Sequence, residues 1–325
     1  MIYILRSILK KIRKRYKQRH PVAIISNFHD CKKDYSFQDA SDIISDLINS
    51  PKPAMIARFG KVELNCVVNY LNINSSEPIK DKISKYIKSE IDHLSWDKQV
   101  ISEMKINAGF FSNSIKNIEQ FCIMMIQDMA QVDILGSWLE KEEYVKNKML
   151  QSKTVRLLDL EPYYHDIPWS KFLAGKKVLV IHPFTESIIN QYNNKRELLF
   201  KDKSILPKFD LITIKAVQTI AGNNDNNFEN WFDALNFMKN QIIDIDFDIA
   251  IIGCGAYGFP LAAHIKRMNK KSIHLGGATQ ILFGIIGQRW ETEYKNFNFP
   301  NEHWVRPSPN EVPKQSQLVE NACYW

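Results

Sequence analysis

The sequence predicts an α/β fold in which a mostly parallel sheet carries flanking helices. Short apolar runs alternate with helical patterns over residues 155–287, and repeated strand–helix units of this kind build parallel sheets. Seven of the twelve glycines lie between residues 253 and 287. Glycine weakens regular elements but allows sharp turns, so this clustering after two predicted strands indicates a ligand crevice at the carboxyl edge of the sheet.

The start of the chain predicts a basic amphipathic helix. Its apolar residues recur at helical spacing: Leu5, Ile8, Leu9, Ile12 and Tyr16. Residues 1–20 hold eight basic side chains and no acid. A helix of this kind over residues 1–19 is typical of contact with an anionic membrane surface. A solvated or partner-binding arm is the alternative, and contact with RNA is a minor third option. The apolar part precedes most of the charge, which is the reverse of a secretory signal.

The rest of the chain is electrically neutral, which argues against one class of function. The 325 residues include 43 basic and 36 acidic side chains, so removing the eight basic residues of the arm leaves 35 against 36. A nucleic-acid-binding body needs a basic face of its own, so no nucleic-acid partner is expected. The five cysteines are odd in number and form no Cys-x-x-Cys motif, which favours a reducing cytoplasm over a disulfide framework or a zinc ribbon.

The first elements of the body mix one strand with several helices. Apolar periodicity predicts a helix at 37–49, a short buried strand at 54–59 and a helix at 62–71. Residues 79–153 contain few glycines and no proline, and their apolar residues recur at helix-like intervals. We therefore expect a mostly helical insertion there.

Regular strand–helix alternation follows this insertion. Strands are predicted at 155–160, 177–181, 211–215, 247–252 and 272–275, and helices at 185–200, 228–243, 256–268 and 280–286. The tail, residues 290–325, holds four prolines and ends in aromatic side chains, so we expect it to pack back on the body. One α/β domain over 21–325 is the predicted organisation, with residues 1–20 as a separate arm.

The glycine turn after the strand at 247–252 predicts a phosphate site. Gly253, Gly255 and Gly258 have G-x-G-x-x-G spacing and precede a helix, whose free N–H groups and dipole favour a phosphate. A dinucleotide site also needs an acid at the end of the next strand, and that strand ends in His274 without one. The pyrophosphate of a nucleotide sugar fits the turn without this acid. A turn that only packs helix on strand is the alternative.

Other polar residues are expected at the same edge of the sheet. Arg58 follows the first buried strand and Glu63 lies in the first turn of the next helix, so both can face a ligand, although an internal Arg58–Glu63 ion pair is the alternative. Glu63, Glu161 and His182 are candidates for a catalytic base, and for His182 a purely structural role is equally open. The residues predicted to contact the nucleotide are Gly60, Gln218, Gly253, Gly255, Tyr257, Gly258, Gly276, Gly277 and Gln280.

The stretch MIARFGKVELNCV, residues 55–67, resembles the RFGDGE turn of bacterial GT-D-type glycosyltransferases of surface-polysaccharide biosynthesis. The later runs VLVIHPF and IIGCGAYGFPLAAHIKRMNKKSIHLGGATQILFGIIGQRW and the CYW end are similar to proteins encoded in capsule and O-antigen loci, so the likeness spans residues 50–325. The resemblance implies a Rossmann-like glycosyltransferase that uses a nucleotide sugar. In that family the turn offers an Asp-x-Glu pair to a divalent metal such as Mn²⁺ or Mg²⁺. Here Lys61-Val62-Glu63 keeps the Glu and lacks the Asp, so Glu63 is the metal-ligand candidate and Lys61 can supply charge in place of a metal.

Residues and resemblance together predict a cytoplasmic glycosyltransferase that is peripheral at the inner face of the plasma membrane. We expect a nucleotide-sugar donor between the 253–258 and 276–280 turns, with Arg58 and Glu63 opposite. The acceptor is expected to be a glycan, carried on a membrane lipid. The alternatives are an NAD(P)-dependent oxidoreductase of sugar nucleotides and a non-catalytic polysaccharide-assembly protein.

Overall fold

The computed structural model describes residues 2–20, 33–111, 114–292 and 299–325, with residues 2–6 described through their backbone alone. Within these ranges seven strands form one sheet in which every neighbouring pair is parallel. The predicted Rossmann-like α/β fold is confirmed. The strands are β1 (Ala54–Ala57), β2 (Ile134–Ser137), β3 (Lys153–Arg156), β4 (Lys177–His182), β5 (Asp210–Lys215), β6 (Ile249–Ile252) and β7 (Lys271–His274), and their order across the sheet is β3-β2-β1-β7-β6-β4-β5.

Helices flank the sheet and form the arm. They are α1 (Ile2–Arg19), α2 (Gln38–Asn49), α3 (Lys61–Ile73), α4 (Ile79–Lys88), α5 (Lys98–Ile106), α6 (Ile115–Met129), α7 (Thr185–Leu199), α8 (Trp231–Ile243), α9 (Gly258–Arg267), α10 (Ala278–Leu282) and α11 (Gln288–Thr292). Short 3-10 turns connect several of these elements, among them Glu140–Tyr144 and Leu157–Leu160.

The strands form because their short apolar runs are buried on both faces of the sheet. In β4 the side chains alternate, so that Leu179 and Ile181 enter one hydrophobic core while Val178 and Val180 enter the other. The first core lies beneath α3, α5, α6, α8 and α9. The second core lies beneath α2, α7, α10 and part of the tail. This two-sided burial leaves the ends of the strands as the places where polar side chains can gather.

The region predicted as a helical insertion also contains a strand. Residues 79–153 hold α4, α5 and α6, but β2 follows them and pairs with β1 through Ile56 and Ile134. A strand of four residues between helices gives too few alternations for its period to be recognised. The next predicted strand is also shorter than expected, because residues 157–160 form a 3-10 turn after β3.

The predicted basic amphipathic helix is confirmed as α1, and part of its apolar stripe packs against the body. Leu9 is buried against Tyr86 of α4, and Arg13 Cζ lies 4.5 Å from the centre of the same ring. Ile8 and Ile12 stay exposed, at 48% and 41% of their accessible surface. The stripe is therefore divided between the body and the outside. Among the described helices, none combines the length and the apolar character that crossing a bilayer requires.

The described part of the tail, residues 299–325, contacts the body at several points. Trp304 is buried and its Nε1 donates to the Leu199 carbonyl oxygen at 3.0 Å. The Glu311 carboxylate accepts the Glu186 backbone N–H at 2.8 Å. This contact caps the first turn of α7, so the positive end of that helix is already occupied by a carboxylate.

Candidate active site

A cavity of about 590 Å³ opens at the carboxyl edge of the sheet. All seven strands contribute to it through a last or following residue: Arg58 after β1, Trp138 after β2, Leu157 after β3, His182 in β4, Gln218 beyond β5, Gly253 after β6 and His274 in β7. Open α/β sheets bind ligands at this edge, and small-molecule sites measure about 300–1,000 Å³. Both the position and the volume fit a ligand site.

The structure brings the predicted site residues together from distant parts of the chain. Those that line the cavity are Arg58, Gly60, Glu63, His182, Gln218, Gly253, Gly255, Tyr257, Gly276, Gly277 and Gln280. Gly258 lies outside it. Lining the same cavity does not show which of these residues are catalytic and which bind the ligand. Those roles remain predictions, which depend on the chemistry of each side chain.

Arg58 presents positive charge to this cavity. It leaves the sheet where β1 ends, and its Cζ lies 4.9 Å from the centre of the Trp138 ring. Among the described residues its guanidinium forms no hydrogen bond and no ion pair, so the internal pair with Glu63 is not formed. Burial lowers the pKa of Arg58, but an arginine starts so far above neutrality that it stays charged. A half-buried guanidinium that makes no hydrogen bond or ion pair within the described residues favours an anionic ligand, even with the Glu63 carboxylate nearby.

The Glu63 carboxylate folds back over Gly60 at the start of α3. A Cβ on residue 60 would lie 2.0 Å from Glu63 Oε2, so a larger residue there would displace the Glu63 carboxylate from this position. Burial raises the pKa of Glu63, although its backbone hydrogen bond and the nearby Arg58 charge both act to lower it. Lys61 is exposed at the same rim of the cavity. The β1–α3 turn therefore offers one carboxylate between two cations.

The two glycine turns touch each other, which corrects the predicted position of the donor between them. A Cβ on residue 253 would lie 2.5 Å from the Gly276 carbonyl oxygen. Thr279 Oγ1 donates to the Ile252 carbonyl oxygen at 3.2 Å, which ties the second turn to the end of β6. The turns therefore form one continuous wall, and a ligand in the cavity lies in front of both.

Backbone conformation favours glycine at two of these positions, and packing favours it at a third. Gly255 and Gly276 have φ angles of 57° and 62°, in the left-handed region that strains other residues. Gly258 has a different reason, because a Cβ there would lie 2.2 Å from His274 Cε1. Its small size lets α9 pack closely on β7. The predicted nucleotide contact of Gly258 therefore has no geometric support.

Both histidines of the cavity are neutral. Burial lowers the pKa of His182 to about 3, and burial together with the Arg58 charge lowers the pKa of His274 to about 3. The His182 Nδ1 accepts the Phe184 backbone N–H at 3.0 Å, so its Nε2 carries the ring proton. In this tautomer His182 offers a hydrogen-bond donor, and the geometry does not favour the predicted role as a base.

Side chains from the tail and from the loop after β5 complete the wall. Tyr324 packs so closely on Gly277 that a Cβ there would lie 2.7 Å from its ring. Gln280 Nε2 donates to the Tyr324 carbonyl oxygen at 3.1 Å, and the Tyr257 hydroxyl lies 3.0 Å from Thr219 Oγ1. Gln280 and Tyr257 therefore hold the wall together in addition to facing the cavity.

Several lining residues were not anticipated, and one anticipated base lies elsewhere. Trp138 and the segment 107–109 line the cavity. Trp138 directly follows β2, so recognising that strand would have found it. Glu161 does not line the cavity: it is buried, the Tyr163 hydroxyl donates to its carboxylate, and burial raises its pKa to about 7.

The donor set does not favour a resident divalent metal. Glu63 and Glu320 are the carboxylates among the lining residues, and Glu320 already pairs with Arg289. Mn²⁺ and Mg²⁺ take hard oxygen ligands, whereas Lys61 stands where the GT-D turn has its Asp. Across the ranges that the structure describes, no group of three or more His, Cys, Asp or Glu side chains is placed to hold a metal ion. Among the described residues that line the cavity, Glu63 thus has no second carboxylate free to share a metal ion.

Comparison with known proteins adds little to this picture. No protein-family model and no curated protein matches the chain. Among solved structures it is similar to the selenomethionine-substituted structure of a domain of unknown function 1792 (DUF1792), at a TM-score of 0.39 and 10% identity, over 94% of this chain and 98% of that chain. A likeness at this level carries no argument about activity. The assignment of the fold therefore depends on the parallel sheet, and any proposal about function depends on the cavity.

Proposed function

We propose that the chain transfers a glycosyl group from a nucleotide sugar to an acceptor hydroxyl. The observation that carries this proposal is the half-buried Arg58, which faces a ligand-sized cavity and forms no hydrogen bond or ion pair among the described residues. A diphosphate satisfies that charge through charge-assisted hydrogen bonds, and Lys61 adds a second cation at the same rim. The resemblance of residues 55–67 to the GT-D turn agrees with this reading.

The composition of the walls supports a nucleotide as the carrier of the diphosphate. Aromatic side chains line the cavity beside the cationic rim: Trp138, Phe184, Tyr257, Tyr324 and Trp325. Their flat faces suit a base and a sugar ring, which bracket the diphosphate in such a donor. The glycine wall at 253–255 and 276–277 lacks side chains, so it permits close approach of the charged part of the ligand.

In the proposed reaction the acceptor hydroxyl oxygen forms a bond to the anomeric carbon of the donor sugar. The bond from that carbon to the diphosphate oxygen breaks, and the nucleotide leaves with the electron pair. Glu63 takes the hydroxyl proton, because its raised pKa makes it a better proton acceptor near neutral pH. Arg58 and Lys61 stabilise the negative charge on the leaving diphosphate, and the His182 Nε2–H is a further donor to a phosphate or sugar oxygen.

We also propose that the acceptor is a lipid-linked glycan at the cytoplasmic face of the plasma membrane. The outer side of α1 is strongly basic, with exposed side chains at Lys10, Lys11, Lys14, Arg15 and Lys17. Exposed Ile8 and Ile12 accompany them. Basic and apolar side chains on one exposed helix surface favour binding to anionic lipid headgroups, which would hold the cavity near a membrane-bound acceptor.

Donor turnover tests the proposal. The full chain is incubated with UDP-, GDP-, dTDP- and CMP-sugars, with and without manganese, and the released nucleotide is measured by chromatography. We expect release from one donor class. Arg58→Ala and Glu63→Gln are each expected to lower turnover by about 100-fold or more, because they remove charge stabilisation or proton transfer. The matched control Arg15→Ala removes an exposed arginine that does not line the cavity and should keep full turnover.

Different results would contradict the assignment of the site residues and the assignment of the activity. Full turnover in both cavity variants would remove Arg58 and Glu63 from the mechanism. No nucleotide release from any donor class contradicts the transferase proposal. Binding of NADH in place of all nucleotide sugars would favour the oxidoreductase alternative.

A further inference from the structure

A second arginine, Arg289 of α11, lines the same cavity as Arg58. Its Cζ lies 4.8 Å from the centre of the Tyr324 ring, and its Nη1 donates to the Tyr324 hydroxyl at 3.3 Å. The Tyr324 ring in turn packs on Gly277, while Arg58 Nη1 lies 3.4 Å from where a Cβ on Gly276 would be. The two arginines therefore approach neighbouring residues of one glycine wall, Arg58 directly and Arg289 across the Tyr324 ring.

The charges of the two arginines act on each other and on the tyrosine between them. Burial lowers the pKa of Arg58, and the Arg289 charge lowers it further. Burial raises the pKa of Tyr324, whereas the charges of Arg289 and Arg58 both act to lower it. Like charges at one wall of a half-buried cavity repel each other, and a ligand with more than one negative charge relieves this repulsion.

Arg289 differs from Arg58 in having a carboxylate partner, Glu320, which lines the same cavity. The Glu320 side chain is 57% exposed, and an ion pair that water reaches to this extent contributes little stability. Glu320 also begins a run of three non-glycine residues in the left-handed region, with φ angles of 45°, 56° and 62° at Glu320, Asn321 and Ala322. Such a run is strained. The carboxylate on Arg289 is therefore a weak partner that a stronger anion can replace.

We infer that Arg289 is a second diphosphate-binding arginine, and that the Glu320 carboxylate occupies its guanidinium until the diphosphate displaces it. A diphosphate carries more charge than a carboxylate and offers paired oxygens to the guanidinium fork. The Gln280 Nε2 holds the Tyr324 carbonyl oxygen at 3.1 Å, so the exchange needs only the exposed Glu320 side chain to turn into solvent. The inference rests on the proposed function only in taking the diphosphate to be that of a nucleotide.

Isothermal titration of the full chain with inorganic pyrophosphate, and with UDP, GDP and dTDP, tests this inference. Arg289→Ala should weaken binding about tenfold or more, because it removes charge-assisted hydrogen bonds. Arg289→Lys should recover part of the affinity, since it keeps the charge and loses the fork. Glu320→Gln should instead tighten binding about threefold, because the competing carboxylate is gone. Glu302→Gln, exposed in the same tail and outside the cavity lining, is the matched control and should bind as the parent does.

The opposite signs of these two changes distinguish ligand binding from a role in fastening the tail. If Arg289 and Glu320 only fastened the tail, both variants would loosen it and weaken binding alike. In the double variant Arg289→Ala, Glu320→Gln the tightening should disappear, because it depends on the arginine that Glu320 occupies. If Arg289→Ala does not fold, Glu320→Gln decides alone. Unchanged or weaker binding by Glu320→Gln overturns the inference.

The use of pyrophosphate beside the nucleotides separates this inference from the proposed function. Pyrophosphate binding that needs Arg289, with no binding of any of the three nucleotides, contradicts the transferase proposal and leaves the role of Arg289 intact. Nucleotide binding that Arg289→Ala leaves unchanged removes the role of Arg289 alone. Binding of neither pyrophosphate nor a nucleotide contradicts both.

Discussion

The carboxyl groups of Glu63 and Glu161 both lie near Arg58, but only Glu63 can be reached from the cavity. Burial raises the pKa of both Glu63 and Glu161, and the Arg58 charge acts to lower both. Glu63 lines the cavity, so a substrate hydroxyl can reach it. Glu161 is buried and does not line the cavity, and the Tyr163 hydroxyl donates to it. Proton transfer to a ligand is therefore open to Glu63, whereas Glu161 affects the stability of the fold.

Glu161→Gln should change how stability depends on pH. The pKa of Glu161 is about 7 in the folded chain against 4.5 in an unfolded one, so the native state holds its proton more tightly. Stability then falls as pH rises from 4.5 to about 7 and levels off above that range. The neutral Gln keeps an oxygen for the Tyr163 hydroxyl and cannot ionise. We expect the variant to gain about 2–3 kcal/mol relative to the parent between pH 4.5 and pH 8.

Urea unfolding at a series of pH values measures this difference. Glu229→Gln, at an exposed position on the chain segment before α8, is the matched control and should follow the parent at every pH. A parent and a Glu161→Gln variant whose stabilities run parallel across this range would show that Glu161 is not buried as described.

The sequence predicted the positions of the site residues better than it predicted which ring nitrogen or carboxyl group carries a proton. Arg58 and Glu63 were recognisable because an arginine after a buried strand and an acid in the next helical turn lie at the same sheet edge. The tautomer of His182 could not be recognised from the sequence. It depends on the backbone N–H of Phe184, whose direction is set by the loop before α7. Gly258 was misread for a related reason, since its neighbour is the His274 ring from another strand.

At the scale of elements, the glycine turns act as a wall that the rest of the cavity faces. Gly253 and Gly276 are in direct contact, and Tyr324 of the tail covers Gly277. The glycine pattern predicted both turns from sequence, because two short apolar strands precede them. Their contact with each other could not be predicted, because it depends on β6 and β7 being neighbours in the sheet. β2 was missed because four residues give too little periodicity.

The proposed contact of helix α1 with an anionic membrane is a second prediction at the scale of elements, and a vesicle-binding assay can test it. Lys11, Lys14 and Lys17 are exposed, whereas Leu9 and Arg13 hold the helix on the body. The triple variant Lys11→Glu, Lys14→Glu, Lys17→Glu should therefore keep the fold and lose contact with anionic lipid. Each basic residue near such a surface contributes about 1 kcal/mol, so we expect binding to weaken by more than about 100-fold.

Sedimentation with phosphatidylserine vesicles and with neutral phosphatidylcholine vesicles measures that loss. Lys148→Glu, Lys195→Glu, Lys201→Glu changes the net charge by the same amount at exposed positions outside α1 and is the matched control. The control should bind phosphatidylserine vesicles more tightly than the α1 variant does. Equal binding by the parent and both variants would exclude α1 as the membrane contact.

At the scale of the whole molecule, the strand order determines which side chains meet at the cavity. β1 and β7 lie side by side at the middle of the sheet, although 213 residues separate the end of β1 at Ala57 from the start of β7 at Lys271. This pairing brings Arg58 against the Gly276 turn, where a Cβ on residue 276 would lie 3.4 Å from the guanidinium. Local sequence predicted the edge on which these groups lie.

Isothermal titration of the full chain with UDP, GDP and dTDP tests most directly whether this convergence forms a diphosphate site. The account predicts that one of these nucleotides binds with one-to-one stoichiometry. It also predicts that Arg58→Ala weakens the binding by about 10- to 100-fold, since hydrogen bonds to a charged group contribute about 1.5–3 kcal/mol. Binding of none of the three nucleotides, or binding with the same affinity in Arg58→Ala, would contradict it.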